Sequence, residues 1–156
     1  MNTFHNIGTG IENLSGETIN VKTYKISEIV KDRKIDLIRM DVEGHEVEVL
    51  NGLVSSVNEF KQLPKIIFET HISRYGENHN FRETLEKLFN IGYKINMVGS
   101  SSESGSVKLK KLGYHSIKNI KSDGDIRGIF KNIKESDAID LICNKGGIRT
   151  VLLSPM

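Results

Sequence analysis

Cysteine, proline, tryptophan and long apolar runs are scarce or absent in this sequence, and each absence excludes a class of protein. The single cysteine, Cys143, cannot form an internal disulfide or a cysteine-cluster metal site, which is typical of a reducing compartment. The apolar runs are far shorter than the ~20 residues that cross a bilayer, and residues 1–5 lack the basic flank and apolar core of a signal peptide. The net charge of +2 is not the strongly basic footprint of a nucleic-acid-binding protein. We therefore predict a cytoplasmic protein that binds neither membranes nor nucleic acid.

The remaining composition is that of one soluble domain. The chain has 156 residues, of which 37% are hydrophobic and 27% charged, which suffices for one core and is too short for two ordinary domains. The first 18 residues are polar and aperiodic, and residues 99–134 are rich in serine and lysine without a clear period. The sequence thus predicts a single domain over residues 1–156, with a loop at 1–18 and an irregular basic insertion at 99–134.

Strand-like and helix-like patterns alternate along the chain. Period-2 alternation or short apolar runs predict six strands, at 19–24, 35–40, 65–69, 93–98, 138–143 and 148–153. Helical spacing of apolar residues predicts helices at about 27–31, 47–54 and 81–89, with Asn51 and Gly52 interrupting or capping the second. The runs at 35–40 and 65–69 are nearly continuous, as in strands covered on both faces. This alternation predicts an α/β fold with a mostly parallel sheet and helices on its faces.

Two of the predicted strands end in residues suited to chemistry. The strand at 35–40 runs into Asp41, Glu43 and Glu46, and the strand at 65–69 runs into Glu69 and His71. Ligands bind outside the carboxyl ends of strands in such sheets, and neighbouring strands lie ~4.8 Å apart. If these two strands are neighbours, their carboxylates and imidazole meet, and such a cluster shares protons, pairs with cations or holds a metal.

Each of these residues also has a purely structural interpretation. The helix dipole favours carboxylates such as Glu43 and Glu46 in the first turn of a helix, and Asp41 is a preferred N-cap residue. Gly44 permits close approach of the backbone either to a ligand or to a packed neighbouring element. Glu69 and His71 are equally compatible with a solvated loop. Spacing alone does not decide between these interpretations.

The run IDLIRMDVEGHEVEVLNG at residues 35–52 resembles the central signature of the FkbM-like methyltransferases. In that signature an aspartate-x-glutamate-glycine motif ends a strand and opens a helix that closes in leucine-x-glycine. Residues 21–26 and 66–71 are similar, in the same order, to the family's strands before and after the motif. The resemblance covers about residues 19–98. It implies a Rossmann-like class I fold that transfers a methyl group from S-adenosylmethionine to a hydroxyl oxygen of a sugar, glycan or small metabolite.

The sequence also departs from that family's pattern. The family's glycine-rich cofactor loop and its ribose-binding acidic residue are expected upstream of Asp41, where Gly8 and Gly10 are the only candidates for the loop, and Ser27 stands where the family tends to carry aspartate. The chain is therefore expected to be the C-terminal portion of a methyltransferase, a partial fold that lacks its first strands. Because the strand at 35–40 would then have a bare edge, we expect self-association or a partner chain that supplies the missing strands.

The resemblance and the strand-end positions together suggest the site residues. Asp41 and Glu43 are assigned to the substrate and methyl end, with Glu69 or His71 as proton acceptor or substrate ligand, and Asp41 and Gly44 are assigned to cofactor binding. Mixed carboxylate and imidazole ligands leave open a metal-binding module built from Asp41, Glu43, Glu69 and His71. The segment 107–134 has eight Lys or Arg and two Asp, hence 8 − 2 = +6, and leaves open a phosphate-binding module. An inactive or repurposed methyltransferase fragment is the remaining alternative.

Overall fold

The computed structural model describes residues 4–5, 21–77 and 79–156. Eight strands are described there: β1 Phe4–His5, β2 Val21–Lys22, β3 Leu37–Met40, β4 Lys65–Glu69, β5 Tyr93–Ser100, β6 Ser116–Ser122, β7 Asp125–Lys131 and β8 Ile148–Pro155. The α-helices are α1 Ile26–Val30, α2 Glu46–Ser55, α3 Phe81–Asn90, α4 Glu103–Lys111 and α5 Glu135–Asp140. Two 3₁₀ turns, Val57–Glu59 and Ile72–Arg74, and a π-helix, Leu141–Lys145, complete the described elements.

Six strands form one mixed sheet in the order β3-β4-β8-β5-β7-β6, and β1 pairs with β2 separately. Within the six-stranded sheet only β3 and β4 run parallel; β4 with β8, β8 with β5, β5 with β7 and β7 with β6 are antiparallel. The α/β class is confirmed, but the prediction of a mostly parallel sheet is wrong. The cause is β8, which enters antiparallel between β4 and β5 instead of continuing a series of crossovers.

The sheet buries one face more deeply than the other. Side chains alternate across a strand, so one face carries residues that are each at most 1% exposed: Ile66, Phe68, Val98, Phe130, Val151 and Leu153. Helices α3 and α4 lie against the sheet and add fully buried leucines to this core. On the opposite face Leu37 is 48% exposed. The expectation that β3 is covered on both faces is therefore wrong.

The middle of the chain follows the predicted elements closely. Strands β3 and β4 and helices α1 to α3 lie within a few residues of their predicted positions. Helix α2 continues through Gly52 instead of stopping there, and the hydroxyls of Ser55 and Ser56 both donate to the Gly52 carbonyl. Asn80 caps the N-terminus of helix α3, and its side chain accepts a hydrogen bond from the backbone N–H of Arg82 at 3.0 Å.

The segment 99–134, expected to be irregular, contains helix α4 and the hairpin β6–β7. Its serines are structural, since the hydroxyl of Ser100 accepts from the backbone N–H of Gly128 at 2.9 Å in the core. Asp123 and Gly124 connect the hairpin strands with φ of +53° and +84°, and Asp-Gly is a strong sequence signal for a two-residue turn. That signal was available in the sequence and was overlooked.

The strand predicted at 138–143 is wrong, because α5 and the π-helix occupy this run. A short apolar run such as Ala138 to Cys143 fits a buried helix and a buried strand equally well by period alone. The loop predicted at 1–18 lies outside the described residues, except that β1 pairs with β2. In the described part of the chain, no helix combines the length and apolar character needed to cross a bilayer.

Candidate functional site

A cleft of about 490 Å³ lies at the carboxyl ends of β3 and β4 and brings most of the predicted site residues together. Its lining comes from segments that are far apart in the sequence: Asp41, Glu43, Glu69, Thr70, His71, Ile72, Ser101, Asp125, Arg127, Gly146, Gly147, Ile148 and Arg149. A larger depression of about 690 Å³ lies at the opposite ends of these strands, where Leu37, Leu63, Pro155 and Met156 make it mainly apolar. The cleft is the better candidate, because it gathers the titratable groups at the strand ends.

The turn after β3 aims two carboxylates at the end of β4. Because β3 and β4 are parallel, with Met40 opposite Phe68, Asp41 emerges beside the segment that leads to His71. Glu43 adopts a φ of +52°, an uncommon conformation for a residue with a side chain. The Nε2 atom of His71 lies 3.8 Å from Asp41 Oδ1 and 3.5 Å from Glu43 Oε2. The two strands are therefore neighbours, which was the condition for their carboxylates and imidazole to meet.

The second nitrogen of His71 is held by a carboxylate beneath the cleft. Glu46, the first residue of α2, has a side chain that is 0% exposed, and its Oε1 lies 2.9 Å from His71 Nδ1. Because a carboxylate oxygen accepts, this contact is a hydrogen bond when Nδ1 carries the proton. The backbone N–H of Val42 donates to the same oxygen at 3.3 Å. The sequence left Glu46 open as a member of the strand-end cluster or as a helix-dipole stabiliser, and the structure makes it a partner of His71.

Tyr75 closes this arrangement from the far side. Its hydroxyl donates to Glu46 Oε2 at 3.2 Å and accepts from the backbone N–H of His71 at 2.9 Å. Burial, together with the negative charge of Glu46, raises the pKa of Tyr75 above its ordinary value. The hydroxyl therefore remains a donor at neutral pH. Sequence analysis missed Tyr75, because a lone tyrosine in a polar stretch carries no periodic signal.

Glu69 lies in the same cleft but has a different partner. Its Oε2 accepts from Arg149 Nε at 2.6 Å, and Arg149 also lies 3.3 Å from Asp123. Arg127, whose side chain is 7% exposed, donates to the backbone oxygen of Ser101 and lies 3.4 Å from Asp123. Neither arginine was singled out, because both belong to stretches that read as general basic surface or strand. Glu69 is thus engaged by a guanidinium and is the weaker candidate for proton acceptor.

Gly44 is explained by packing within the chain. Its φ is +104°, and a Cβ built there would lie 2.6 Å from Arg74 Cβ and 2.7 Å from Arg74 Cγ. The close approach that only glycine permits is therefore made by the 3₁₀ turn Ile72–Arg74. The assignment of Gly44 to cofactor binding stays a prediction.

Asp41, Glu43 and His71 also satisfy the distance requirement of a cation site. Each offers one ligand atom, and these atoms lie within 4.8 Å of one another. Glu69 is not part of this group. The metal-binding alternative therefore stays open with three of its four residues.

Comparison with known families identifies one match. The model of the methyltransferase FkbM domain matches residues 5–95, which include the turn after β3, Glu46, His71 and Tyr75. No curated protein and no solved structure matches this chain. Arg127 and Arg149 lie beyond the matched residues.

Proposed function

Since this chain belongs to the methyltransferase FkbM domain family, we propose that it transfers a methyl group from S-adenosylmethionine to a hydroxyl oxygen of a sugar, glycan or small metabolite. The observation that supports this proposal most strongly is the convergence of Asp41, Glu43 and His71 at one cleft, within the residues that the family match covers. The family membership supports methyl transfer, and the hydroxyl acceptor is what the resemblance of residues 35–52 implies.

The residues at the cleft fit the cationic part of such a cofactor. In the described part of the chain, His71 is the one basic side chain within 4.0 Å of the Asp41 and Glu43 carboxylates, at 3.8 and 3.5 Å, and a neutral imidazole does not cancel their charge. Their negative charge is thus available to a ligand with a sulfonium and an ammonium group. A volume of about 490 Å³ lies in the range that small-molecule sites occupy. We assign Asp41 and Glu43 to hold this end of the cofactor, which when bound supplies an electrophilic methyl group.

His71 is the proposed proton acceptor for the hydroxyl of the substrate. Its Nδ1 donates to Glu46, so Nε2 presents its lone pair toward Asp41 and Glu43 at the cleft. General base catalysis requires an unprotonated acceptor within hydrogen-bond reach of the hydroxyl, and an imidazole nitrogen facing the cleft is such a group. Glu69 is assigned to hold Arg149 at the wall of the cleft and not to accept the proton.

Calorimetric titration with S-adenosylhomocysteine tests cofactor binding directly. We expect about one site per chain for the wild type and a clear loss of affinity for Asp41→Asn. Asp36→Asn is the matched control, because Asp36 is an exposed aspartate at the opposite end of β3, where it accepts from Gln62. A folded wild-type chain that binds no S-adenosylhomocysteine would sink the proposal and favour a repurposed module.

Transfer of labelled methyl groups from S-adenosylmethionine to a panel of hydroxylated acceptors tests the role of His71. A positioned base contributes ~10²–10⁴-fold to the rate, and we expect His71→Asn to lose a comparable factor. His45→Asn is the control, because His45 is exposed and pairs with Glu48 outside the cleft. Equal losses in both variants would refute the assignment.

A titration with MnCl₂ alone tests the metal-binding alternative. The cation site would be favoured over methyl transfer if the wild type binds Mn²⁺ but not S-adenosylhomocysteine, and if Asp41→Asn and His71→Asn both abolish the Mn²⁺ binding. We expect the opposite pattern.

The association of the chain and its compartment belong to the same proposal. In the described residues no strand pairs with the outer edge of β3, whose Leu37 is 48% exposed, and such an edge invites a second chain. We expect sedimentation to show association that Leu37→Lys weakens, whereas a monodisperse monomer at all concentrations would contradict it. The proposed cytoplasmic location follows from the short apolar runs and from residues 1–5, and the single cysteine agrees with it.

A further inference from the structure

Glu46 is a buried carboxylate whose hydrogen-bond partners, among the described residues, are His71, the Tyr75 hydroxyl that also holds His71, and the backbone of Val42. Its side chain is 0% exposed, and it accepts from His71 Nδ1 at 2.9 Å, from Tyr75 at 3.2 Å and from the backbone of Val42 at 3.3 Å. A buried charge is costly unless such bonds compensate it. A helix-dipole role alone does not require burial, since carboxylates in the first turn act from the surface.

We propose that Glu46 is a positioning residue that fixes the tautomer and the ring orientation of His71, so that Nε2 is the unprotonated nitrogen at the cleft. This inference rests on the proposed function for the use made of Nε2, but the tautomer itself is a property of the free chain. The nitrogen that carries the proton in a neutral imidazole is set by the hydrogen bond of the other nitrogen. Among the described residues, the one hydrogen bond of the His71 ring joins Nδ1 to Glu46.

The distances on the two sides of the ring support this assignment. Nδ1 lies at hydrogen-bond distance from Glu46, whereas Nε2 lies 3.5 Å from Glu43 and 3.8 Å from Asp41, beyond a good hydrogen bond. The charged groups that face the ring are thus Glu46 on one side and Asp41 and Glu43 on the other. The Tyr75 hydroxyl is the titratable group that contacts the backbone N–H of His71. The ring is held on its inner side and free on its outer side.

Tyr75 connects the backbone of His71 to the same carboxylate. Its single hydroxyl proton goes to Glu46, and its lone pair receives the His71 N–H. The side chain of His71 is therefore bonded to Glu46 directly, and its backbone is bonded to Glu46 through Tyr75. These two connections leave the ring little freedom to rotate. When the hydroxyl proton of an acceptor moves to Nε2, the imidazolium that forms keeps its Nδ1–H on Glu46, and that negative charge stabilises it.

Nitrogen-detected NMR of the histidine side chains at about pH 8 tests the proposal without any ligand or turnover. The chain has five histidines, and the His71 signals are assigned by their absence in His71→Asn. We expect wild-type His71 to show a protonated Nδ1 and an unprotonated Nε2. A wild-type spectrum with the proton on Nε2 overturns the proposal, even if every Glu46 variant fails to fold.

Glu46→Gln provides the second arm. The amide keeps the shape of the side chain but offers both a donor and an acceptor, so we expect His71 to become a mixture of tautomers. Glu48→Gln is the matched control, because Glu48 lies on the same helix but pairs with His79 at 2.9 Å, and it should leave the His71 signals unchanged. If Glu46→Gln leaves the His71 tautomer as in the wild type, Glu46 does not position the ring.

Kinetics separate this inference from the proposed function. With any acceptor that the wild type methylates, we expect Glu46→Gln to lower kcat roughly 10- to 100-fold, a part of the usual contribution of a general base, with KM for the acceptor little changed. A higher KM for the acceptor with an unchanged kcat overturns the positioning role. Absence of turnover in the wild type would count against the proposed function, while the tautomer measurement would still decide the role of Glu46.

Discussion

Gly44→Ala is expected to be among the most destabilising single-methyl substitutions in this chain. The new Cβ would lie 2.6 Å from Arg74 Cβ and 2.7 Å from Arg74 Cγ, and these atoms are too close to the backbone to move aside as a flexible side-chain end would. The left-handed backbone at φ +104° adds ~1–2 kcal/mol for a residue with a Cβ. Overpacking adds ~1–3 kcal/mol. We therefore expect the free energy of unfolding to fall by about 2–5 kcal/mol, measured by urea denaturation.

A double-mutant cycle separates the two contributions. Arg74→Gly removes the Cβ that clashes, so Gly44→Ala should cost ~1–3 kcal/mol less in that background, while the backbone contribution remains. Arg74→Ala keeps the Cβ and should rescue much less. A cost below ~0.5 kcal/mol for Gly44→Ala, or equal rescue by the two Arg74 variants, would refute the packing argument. If the double variant recovers stability but no longer binds S-adenosylhomocysteine, the cofactor assignment of Gly44 gains support.

Two further predictions concern helix packing and pH. Gly105→Ala should lower the free energy of unfolding in urea by about 1–3 kcal/mol, because the new Cβ would lie closer to the carbonyl oxygen of Gly147 than real Cβ atoms approach such an atom. Gly52→Ala should raise it by ~0.5–1 kcal/mol, because no atom lies within 4 Å of a Cβ at this position in α2. A stabilising Gly105→Ala with a destabilising Gly52→Ala would contradict the packing. The pKa of His79 lies above 6.5, first because its ring bonds the Arg74 carbonyl and then because it pairs with the Glu48 carboxylate. Partial burial acts to raise the pKa of Glu48, but the hydrogen bond and charge of His79 outweigh it, so the pKa of Glu48 lies below 4.5. The stability that His79 contributes is lost as the pH rises through its raised pKa, and the stability that Glu48 contributes is lost as the pH falls through its lowered pKa. His79→Gln should therefore lower the free energy of unfolding by ~0.2–1 kcal/mol at about pH 5.5 and by less at about pH 8.5. A cost that does not change with pH would argue against the ion pair.

The sequence predicts the strand ends of the site well because their signals are local. An apolar run that stops at Asp41 and another that stops at Glu69 define β3 and β4, and their pairing follows from the connecting helix. The contacts that complete the site are not local. Arg149 is far from Glu69 in the sequence, and no pattern in either segment predicts that the two side chains form an ion pair. The same holds for Tyr75, whose role depends on the buried position of Glu46.

The parallel-sheet prediction failed for a related reason. The run Ile148 to Leu153 was recognised as a strand, but a strand pattern does not state its direction or its neighbours. The prediction of a strand at 138–143 is wrong because a run of six residues, five of them apolar, is too short to distinguish a helix turn from a strand. The hairpin β6–β7 was missed although Asp123 and Gly124 announce it, since the surrounding lysines suggested an irregular surface.

The position of β8 determines when this sheet can be completed during synthesis and refolding. Strands β4 and β5 are not hydrogen-bonded to each other, because residues 148–155 separate them and pair with both. A ribosome that has released only the first hundred residues therefore exposes two strands whose shared partner does not yet exist. Contacts so distant along the chain slow folding, and unpaired strands in the meantime attract chaperones or one another. The two walls of the cleft, one from Asp41 to His71 and one from Gly146 to Arg149, come together only at that final step.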